Sequence, residues 1–282
     1  MRIAITGYKG QLGRSLHMLL EGEELFLIDL PEHDFTDPAI IEALLDFRPE
    51  VVIHAGAYTD VEGCARDPDL AYRVNGLGAQ HIALACQRGG AAMVYVSTNE
   101  VFDGQKGEPY LEWDEPHPIN PYGASKLAGE LFTRSLVSRH YIVRTTWLYT
   151  PGGNNFPSKI IRAADERGRL RVVTDEISSP TYAPDLAQAI VQLIETGLYG
   201  TYHFINEGAC SRYEFALRIL ELSGRSEVLV EPITSDQYPR LSTPPLNCVL
   251  RNFCGAFHGI TLRHWEEALE DFFAAQPQLL RQ

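Results

Sequence analysis

The beginning of the chain places a short apolar segment directly before three regularly spaced glycines. Arg2–Thr6 reads Arg-Ile-Ala-Ile-Thr, and Gly7, Gly10 and Gly13 follow it, with an amphipathic run behind them that continues to Leu20. This order of strand, glycine-rich loop and helix is the context in which such a loop binds phosphate. The glycines permit a tight turn and the close approach of a pyrophosphate, which then lies at the N-terminus of the helix. The sequence therefore predicts a Rossmann-like dinucleotide-binding loop, although the spacing is Gly-x-x-Gly-x-x-Gly instead of Gly-x-Gly-x-x-Gly.

Apolar segments that are typical of strands alternate with helical segments through the first half of the chain. Further strands are predicted at 25–29, 51–54, 92–96 and 141–145. This alternation predicts an α/β fold with a doubly wound parallel sheet. The C-terminal part is less regular, and we expect it to form a smaller α/β lobe that binds substrate. We place the dinucleotide-binding domain at 1–148, with a segment near 178–200 returning to it, and a mainly substrate-binding lobe at 149–282.

An acidic residue ends the second predicted strand. Asp29 lies 16 residues after Gly13, where a carboxylate can accept hydrogen bonds from the adenosine ribose and so favours NADH. Lys9 and Arg14 flank the glycines and could instead receive the 2′-phosphate of NADPH. The residue pattern leaves the choice between NADH and NADPH open.

Three residues have side chains suited to reducing a carbonyl group. In the segment Asn-Pro-Tyr-Gly-Ala-Ser-Lys, Tyr122 and Lys126 project from one face if Pro121 begins a helix. A nearby ammonium should lower the tyrosine pKa and make Tyr122 a usable proton donor near neutral pH. Thr98 follows the fourth predicted strand, where a hydroxyl can hydrogen-bond a substrate carbonyl and stabilise charge on its oxygen.

Composition and cysteine usage narrow the class of protein. The hydrophobic content of 45%, without a run of about 18 apolar residues, predicts a globular chain that does not span a membrane. A formal net charge of −13 disfavours nucleic acid as a partner. The five cysteines are scattered and the acidic residues show no ligand spacing, so we expect reduced thiols in the cytoplasm and no metal. The first residues lead directly into a strand, which leaves no room for a signal peptide. No pattern defines the oligomeric state, and a homodimer stays open.

The three glycines, Thr98, Tyr122 and Lys126, in this order and spacing, resemble the extended short-chain dehydrogenase/reductase superfamily. Within it, several further motifs resemble the dTDP-4-dehydrorhamnose reductase family. The motifs that resemble the reductase family are Gly-Gln-Leu-Gly at 10–13, Ala-Tyr-Thr-Asp-Val at 57–61, Val-Ser-Thr-Asn-Glu-Val-Phe-Asp-Gly at 96–104, Asn-Pro-Tyr-Gly-Ala-Ser-Lys-Leu-Ala-Gly-Glu at 120–130, Arg-Thr-Thr-Trp-Leu-Tyr at 144–149, Asn-Asn-Phe at 154–156, Ser-Pro-Thr-Tyr-Ala at 179–183 and Asn-Cys-Val-Leu at 247–250. The resemblance implies NAD(P)H-dependent reduction of the 4-keto group of a nucleotide-linked 6-deoxy sugar.

The resemblance also implies a role for each candidate residue. Thr98 would polarise the carbonyl, Tyr122 would protonate the new alkoxide, and Lys126 would hold the nicotinamide ribose and keep Tyr122 acidic. The cofactor-binding set is Gly7, Gly10, Gln11, Leu12, Gly13, Asp29, Asp34, Phe35, Ala55, Gly56, Ala57, Tyr122 and Lys126. The substrate-binding set is Thr98, Asn99, Trp147, Asn155 and Asn247.

Three departures from the family pattern leave the identity of the sugar nucleotide open. The chain has Asn99 where the family usually has Asp, and Glu62 where Asp is common. Pro244 stands where an Arg often precedes a Pro. Loss of that Arg removes an expected contact to the substrate diphosphate, which Arg240 or Arg251 could replace.

Related proteins with other functions supply the alternatives. Sugar-nucleotide 4,6-dehydratases carry Thr-Asp-Glu where this chain has Thr98-Asn99-Glu100, and an amide cannot protonate the leaving hydroxyl. Dehydration is therefore disfavoured, and Glu100 is predicted to be structural. A sugar-nucleotide epimerase of the same superfamily stays an alternative. So does a non-catalytic regulatory subunit that resembles the β subunit of methionine adenosyltransferase, although the presence of all three catalytic side chains disfavours it.

Overall fold

The computed structural model describes residues 1–281 as strands and helices that alternate along the chain. The strands are β1 Arg2–Thr6, β2 Glu24–Ile28, β3 Val51–His54, β4 Ala92–Thr98, β5 His140–Thr145, β6 Leu148–Tyr149, β7 Arg169–Val173, β8 Ile177–Ser178, β9 Thr181–Tyr182, β10 Gly200–His203, β11 Cys210–Ser211 and β12 Leu229–Ile233. The α-helices are α1 Gln11–Leu19, α2 Ala39–Phe47, α3 Val61–Arg66, α4 Pro68–Ala71, α5 Gly78–Gly89, α6 Pro121–Leu136, α7 Phe156–Arg167, α8 Ala183–Thr196, α9 Arg212–Leu222, α10 Cys254–Phe257 and α11 Trp265–Ala274. A π-helical turn, Tyr72–Leu77, joins α4 to α5, and 3-10 turns lie at Asn99–Val101, Ser235–Gln237 and Pro277–Leu279.

Six parallel strands form the central sheet, in the order β10-β5-β4-β3-β1-β2. The chain places β2 on one side of β1 and the later strands on the other, so a crevice is expected at the switch point between β1 and β3. The register puts Thr6 beside His54 and Thr98 beside Thr145, and the carboxyl ends of these strands therefore share one edge of the sheet. The predicted doubly wound α/β fold is confirmed.

The structure differs from the sequence prediction mainly where tertiary pairing extends or creates an element. β4 continues beyond residue 96 to Thr98, because Ser97 and Thr98 pair with Arg144 and Thr145 of β5. β6, β8, β9 and β11 have two residues each, which is too short to show a periodic pattern. They pair as β6 with β9 and β8 with β11, and β7 pairs with β12.

Two of the hydrophobic cores draw mainly on different halves of the chain. The first contains Ile3, Leu16 and Tyr141 of the N-terminal half, together with Leu186 and Ile190 of α8. The second is formed by aromatic and aliphatic side chains of the C-terminal half, among them Tyr149, Phe215, Trp265 and Phe272. Helix α8 thus belongs to the second half of the sequence but packs into the first core. Within residues 1–281, none of the helices combines the length and apolarity needed to cross a bilayer.

Candidate active site

The loop after β1 can pack tightly on its own backbone and on the loop after β3 only because three of its residues lack side chains. Gly7 has a φ of +68°, and a Cβ atom there would lie 2.6 Å from the Cα of Gly56. A Cβ atom at Gly13 would lie 2.1 Å from the carbonyl oxygen of Gly7. Gly10 is the N-cap of α1, which within the described chain has neither a side-chain cap nor an acidic residue in its first turn. The first N–H groups of α1 are therefore available to an anion, and this cradle fits a dinucleotide pyrophosphate.

The two remaining residues of the predicted loop contribute in different ways. Leu12 is buried in the first core, so its side chain packs beneath the loop. Gln11 is partly buried, and its Oε1 accepts a hydrogen bond of 3.2 Å from Nδ2 of Asn155. The loop is thus tied to the start of α7 in the second half of the chain.

At the end of β2, backbone groups orient the Asp29 carboxylate. Oδ2 accepts the Lys9 N–H at 3.0 Å and Oδ1 accepts the Leu30 N–H at 2.9 Å. The Lys9 ammonium donates to the carbonyl oxygen of Leu30 and to Glu32 Oε2, both at 2.7 Å. The carboxylate thus lies beside the glycine loop, where a ribose is expected, and the nearby lysine is already paired.

The other predicted cofactor residues lie along the same edge of the sheet. The ring of Phe35 packs against Gly56 and Gly78, since a Cβ atom at either glycine would lie 2.7 Å from it. Oδ1 of Asp34 accepts the N–H and the hydroxyl of Thr36 at 2.8 and 2.7 Å, which fixes the turn that presents the ring. Three small residues, Ala55, Gly56 and Ala57, follow β3 directly, and all three are at least half-buried.

Tyr122 and Lys126 lie on the first turns of α6, as predicted from Pro121 at the start of the helix. Asn120 is the N-cap, and its Oδ1 accepts the Gly123 N–H at 2.8 Å. Thr98 caps the adjacent 3-10 turn, and its hydroxyl oxygen accepts the Glu100 N–H at 3.2 Å. The 3-10 turn packs directly on α6, because a Cβ atom at Gly123 would lie 2.0 Å from the Glu100 carbonyl oxygen. This packing brings Thr98 to the end of the helix that carries Tyr122.

The charge states of the pair differ from the sequence prediction. Burial raises the pKa of Tyr122, the Glu100 carboxylate raises it further, and the Thr98 hydroxyl acts in the opposite direction. Burial also lowers the pKa of Lys126 to about 7, with its Nζ 4.3 Å from the centroid of the Tyr95 ring. The expected lowering of the tyrosine pKa by a neighbouring ammonium was therefore wrong for the ligand-free protein, because burial acts on both groups. Tyr122 is protonated at neutral pH and remains suited to donate a proton.

A π-helical turn supports the pair from behind. Asn75 lies in this turn and is fully buried, and its Nδ2 donates to the hydroxyl of Ser125 at 2.9 Å and to the Tyr58 carbonyl oxygen at 3.0 Å. Its Oδ1 accepts the Tyr58 N–H at 2.8 Å. Asn75 therefore locks the loop after β3 to the residue before Lys126, and π-turns of this kind are frequent at functional sites.

Some predicted substrate-binding residues have other partners. Asn155 is the N-cap of α7, and its amide is occupied by Ser158, Thr150 and Gln11. Nδ2 of Asn99 donates to the Cys248 carbonyl oxygen at 3.2 Å and to Ser178 Oγ at 3.4 Å, and its Oδ1 accepts from Thr98. We assign both asparagines to holding the two halves of the chain together.

Trp147 and Asn247 remain candidates for substrate contact. Trp147 has a φ of +41°, a strained conformation that is typically kept at functional sites, and its side chain is half-buried. The guanidinium of Arg212 stacks over its ring at 3.7 Å from the centroid. Asn247 is half-buried in the segment that bridges to Ile177.

Sequence patterns did not indicate a cluster of charged side chains beside Tyr122. Oε1 of Glu176 lies 2.5 Å from a terminal nitrogen of Arg240, and its Oε2 lies 3.8 Å from Nε of Arg212. Oε2 of Glu100 accepts a hydrogen bond of 2.7 Å from Asn120, and burial raises the pKa of Glu100. Burial lowers the pKa of Arg212 to about 10, which leaves it charged at neutral pH. These residues are far apart in sequence, so only the fold brings them together. Among residues 1–281 there is no group of histidine, cysteine and acidic side chains arranged to hold a metal.

The fold and the site together define a nicotinamide-dependent oxidoreductase of the extended short-chain dehydrogenase/reductase type. Residues 1–277 match the family model described as the RmlD substrate binding domain. The chain belongs to the dTDP-4-dehydrorhamnose reductase family.

Named relatives support this assignment over nearly the whole chain. It is 40% identical to dTDP-4-dehydrorhamnose reductase of Mycobacterium tuberculosis, across 97% of this chain and 93% of that protein. It is 37% identical to the spore coat polysaccharide biosynthesis protein SpsK of Bacillus subtilis, across 96% of each. The solved dTDP-4-dehydrorhamnose reductase of Bacillus anthracis, in complex with NADP, is 40% identical with a TM-score of 0.94, across 98% of this chain and 99% of that one. The predicted family and the NAD(P)H-dependent oxidoreductase class are confirmed.

Proposed function

We propose that the protein uses NAD(P)H to reduce the 4-keto group of a dTDP-linked 4-keto-6-deoxy hexose, as in the formation of dTDP-L-rhamnose. The observation that carries the proposal is the arrangement of Thr98, Tyr122 and Lys126 at the carboxyl edge of the sheet, on the same edge as the glycine loop. The names of the relatives supply the substrate class, since they include a dTDP-4-dehydrorhamnose reductase and a dTDP-4-keto-6-deoxy-D-glucose reductase.

The side chains of the site divide the work of reduction. The nicotinamide, when bound, supplies the hydride that C4 of the sugar receives. The Thr98 hydroxyl donates a hydrogen bond to the carbonyl oxygen and stabilises the negative charge that develops on it. Tyr122 holds a proton at neutral pH and transfers it from its hydroxyl to that oxygen, which completes the alcohol. Lys126 then supports the phenolate, since the ammonium form is available near its pKa of about 7.

The proposed location rests on the state of the cysteines. All five cysteines are free thiols, as a reducing cytoplasm requires. We propose a cytoplasmic enzyme and a homodimer. Cell fractionation and analytical ultracentrifugation test these two statements.

The direct test measures consumption of NADH and of NADPH after addition of dTDP-linked 4-keto-6-deoxy sugars. The wild-type protein should oxidise the cofactor, and Tyr122→Phe should lower kcat by about 10²- to 10⁴-fold, because it removes the proton donor. Tyr199→Phe is the matched control, since the Tyr199 hydroxyl is exposed and accepts a hydrogen bond from Arg139 outside the site.

Either of two results would contradict the proposal. One is the absence of cofactor oxidation with every keto-sugar nucleotide. The other is full turnover by the Tyr122→Phe variant, which would show that the hydroxyl is not used.

A further inference from the structure

A segment of the C-terminal half crosses to the N-terminal half beside the catalytic helix. This strap comprises residues 238–246. The Glu62 carboxylate accepts the N–H groups of Leu241 at 2.9 Å and Ser242 at 3.1 Å. Nδ2 of Asn120 donates to the Thr243 carbonyl oxygen at 3.1 Å. Because Asn120 is the N-cap of the helix that carries Tyr122, these bonds hold the strap at the edge of the proposed sugar site.

The strap places hydrogen-bond donors without partners next to this site. Among the residues that the structure describes, Arg240 Nε and Ser242 Oγ are buried and find no hydrogen-bond partner. Ser242 is 3% exposed, and the Arg240 side chain is 24% exposed, so part of the arginine side chain is open to solvent. A buried donor without a partner costs free energy, so two such donors on one short strap point to a ligand that accepts hydrogen bonds from the strap.

The acidic partner of Arg240 is shared with a second arginine. Oε1 of Glu176 lies 2.5 Å from a terminal nitrogen of Arg240, so the two side chains form an ion pair. The same carboxylate also faces the Arg212 guanidinium, so one negative charge serves two positive ones. An incoming anion with several oxygens would pair both guanidinium groups better than this single carboxylate does.

The alternative cation lies elsewhere. Arg251 is exposed, its N–H donates to the Tyr110 carbonyl oxygen, and its guanidinium lies 5.7 Å from the centroid of the Phe253 ring. The sequence left Arg240 and Arg251 equally able to replace the missing family arginine at Pro244. The position of the strap selects Arg240.

We propose that Arg240 and Ser242 of the strap bind the diphosphate of the sugar nucleotide, and that Glu176 holds the Arg240 guanidinium until this anion arrives. The inference rests on the proposed function, which supplies a substrate with a diphosphate. It assigns substrate binding to two strap residues of this chain, which has Pro244 where an arginine is common in the family.

Binding of dTDP and of thymidine, measured by calorimetry without cofactor or keto sugar, tests the assignment. Arg240→Gln should raise the Kd for dTDP by about 10- to 100-fold, as expected for loss of a charged hydrogen-bond donor to phosphate, and leave thymidine binding unchanged. Ser242→Ala should raise the dTDP Kd several-fold. Arg251→Gln, which removes an exposed arginine outside the site, should match the wild-type protein.

A variant that is expected to strengthen dTDP binding distinguishes a ligand-binding role of Arg240 from a structural one. Glu176→Gln removes the competing negative charge but keeps the length and backbone of the residue, so dTDP should bind more tightly than to the wild-type protein. Equal dTDP affinity of Arg240→Gln and wild type would overturn the subsite. So would a loss of dTDP and thymidine binding in equal measure, or a Glu176→Gln variant that binds as weakly as Arg240→Gln.

The outcome is separable from that of the proposed function. If the wild-type protein reduces a dTDP-linked keto sugar while Arg240→Gln retains normal dTDP affinity, only the subsite fails. If the wild-type protein shows no reductase activity, the proposed function fails whatever the calorimetry shows.

Discussion

At the residue scale, the placement of Tyr122 and Lys126 on one helix could be predicted, but the pKa values of these side chains could not. Tyr122 and Lys126 are four residues apart on a helix that begins at Pro121, and this relation is local in sequence. The pKa of Lys126 depends on its burial against the Tyr95 ring, and Tyr95 is distant in sequence. Contact of Asn99 and Asn155 with substrate stays a prediction. The hydrogen bonds that these amides make to Cys248 and Gln11 could not be predicted, because those partners are distant in sequence.

The lowered pKa of Lys126 predicts a specific dependence of stability on pH. The unfolded chain keeps the lysine proton up to about pH 10.5, whereas the folded protein releases it near pH 7. Between these values the unfolded state binds more protons, so the free energy of unfolding rises with pH. Lys126→Met removes this effect, and in the ligand-free protein it should be stabilising below pH 7, by on the order of 2–4 kcal/mol.

Urea unfolding of the wild-type protein and Lys126→Met at several pH values measures this difference. The advantage of the variant should shrink as the pH rises from 7 towards 10. If the difference in unfolding free energy between Lys126→Met and wild type stayed constant from pH 7 to pH 10, the lysine would not titrate in the folded protein over this range, and the prediction would be wrong.

At the element scale, the glycine loop could be predicted because strand, loop and helix are consecutive in sequence. The short strands β6, β8, β9 and β11 could not, since two residues carry no periodicity and each pairs with a segment distant in sequence. The π-helical turn at Tyr72–Leu77 was likewise not predicted, because a turn of this kind is set by the contacts of Asn75.

Substitution of two glycines tests whether the loop forms by close packing. Gly13→Ala would place a Cβ atom 2.1 Å from the backbone oxygen of Gly7, which cannot move aside without opening the cradle. We expect about 1–3 kcal/mol lower free energy of unfolding and a cofactor Kd raised roughly tenfold or more. At Gly22 a Cβ atom would meet nothing within 4 Å, so Gly22→Ala is the control and should bind the cofactor normally. Equal cofactor affinity of the two variants would contradict the assignment of the cradle.

At the scale of the whole molecule, the path of the chain between the cores of its two halves determines where the site lies. We infer that the nucleotide-binding lobe includes α8, although more than thirty residues of the second half precede this helix. Leu186 and Ile190 of α8 share a core with Ile3 and Leu16, and α8 packs on α1. The sequence predicted that a segment near 178–200 returns to the dinucleotide-binding domain, but it could not predict against which apolar surface of that domain the segment packs. The strap and the cluster around Glu176 lie where the two lobes meet, and no local pattern predicts such a meeting point.

Paired leucine substitutions test the place of α8 in the first core. Leu186 is fully buried, so Leu186→Ala should lower the free energy of unfolding by about 2–5 kcal/mol through lost burial and a residual cavity. Because α8 packs on α1, the variant should also weaken cofactor binding. Leu217→Ala, at an exposed position on α9, should change stability by about 0.5 kcal/mol or less. If both variants unfolded at the same urea concentration, α8 would not be part of the core.

The central claim is that hydride reaches C4 of the sugar while Tyr122 supplies the proton to the oxygen. The most direct test incubates the protein with a dTDP-linked 4-keto-6-deoxy hexose and with NADH or NADPH that carries deuterium at the transferable position of its nicotinamide. The product is then analysed by NMR. We predict stoichiometric consumption of the cofactor and a product that carries deuterium at C4, with the rate lowered by about 10²- to 10⁴-fold in Tyr122→Phe. A product without deuterium at C4, formed without net cofactor consumption, would contradict the account and indicate epimerisation instead of reduction.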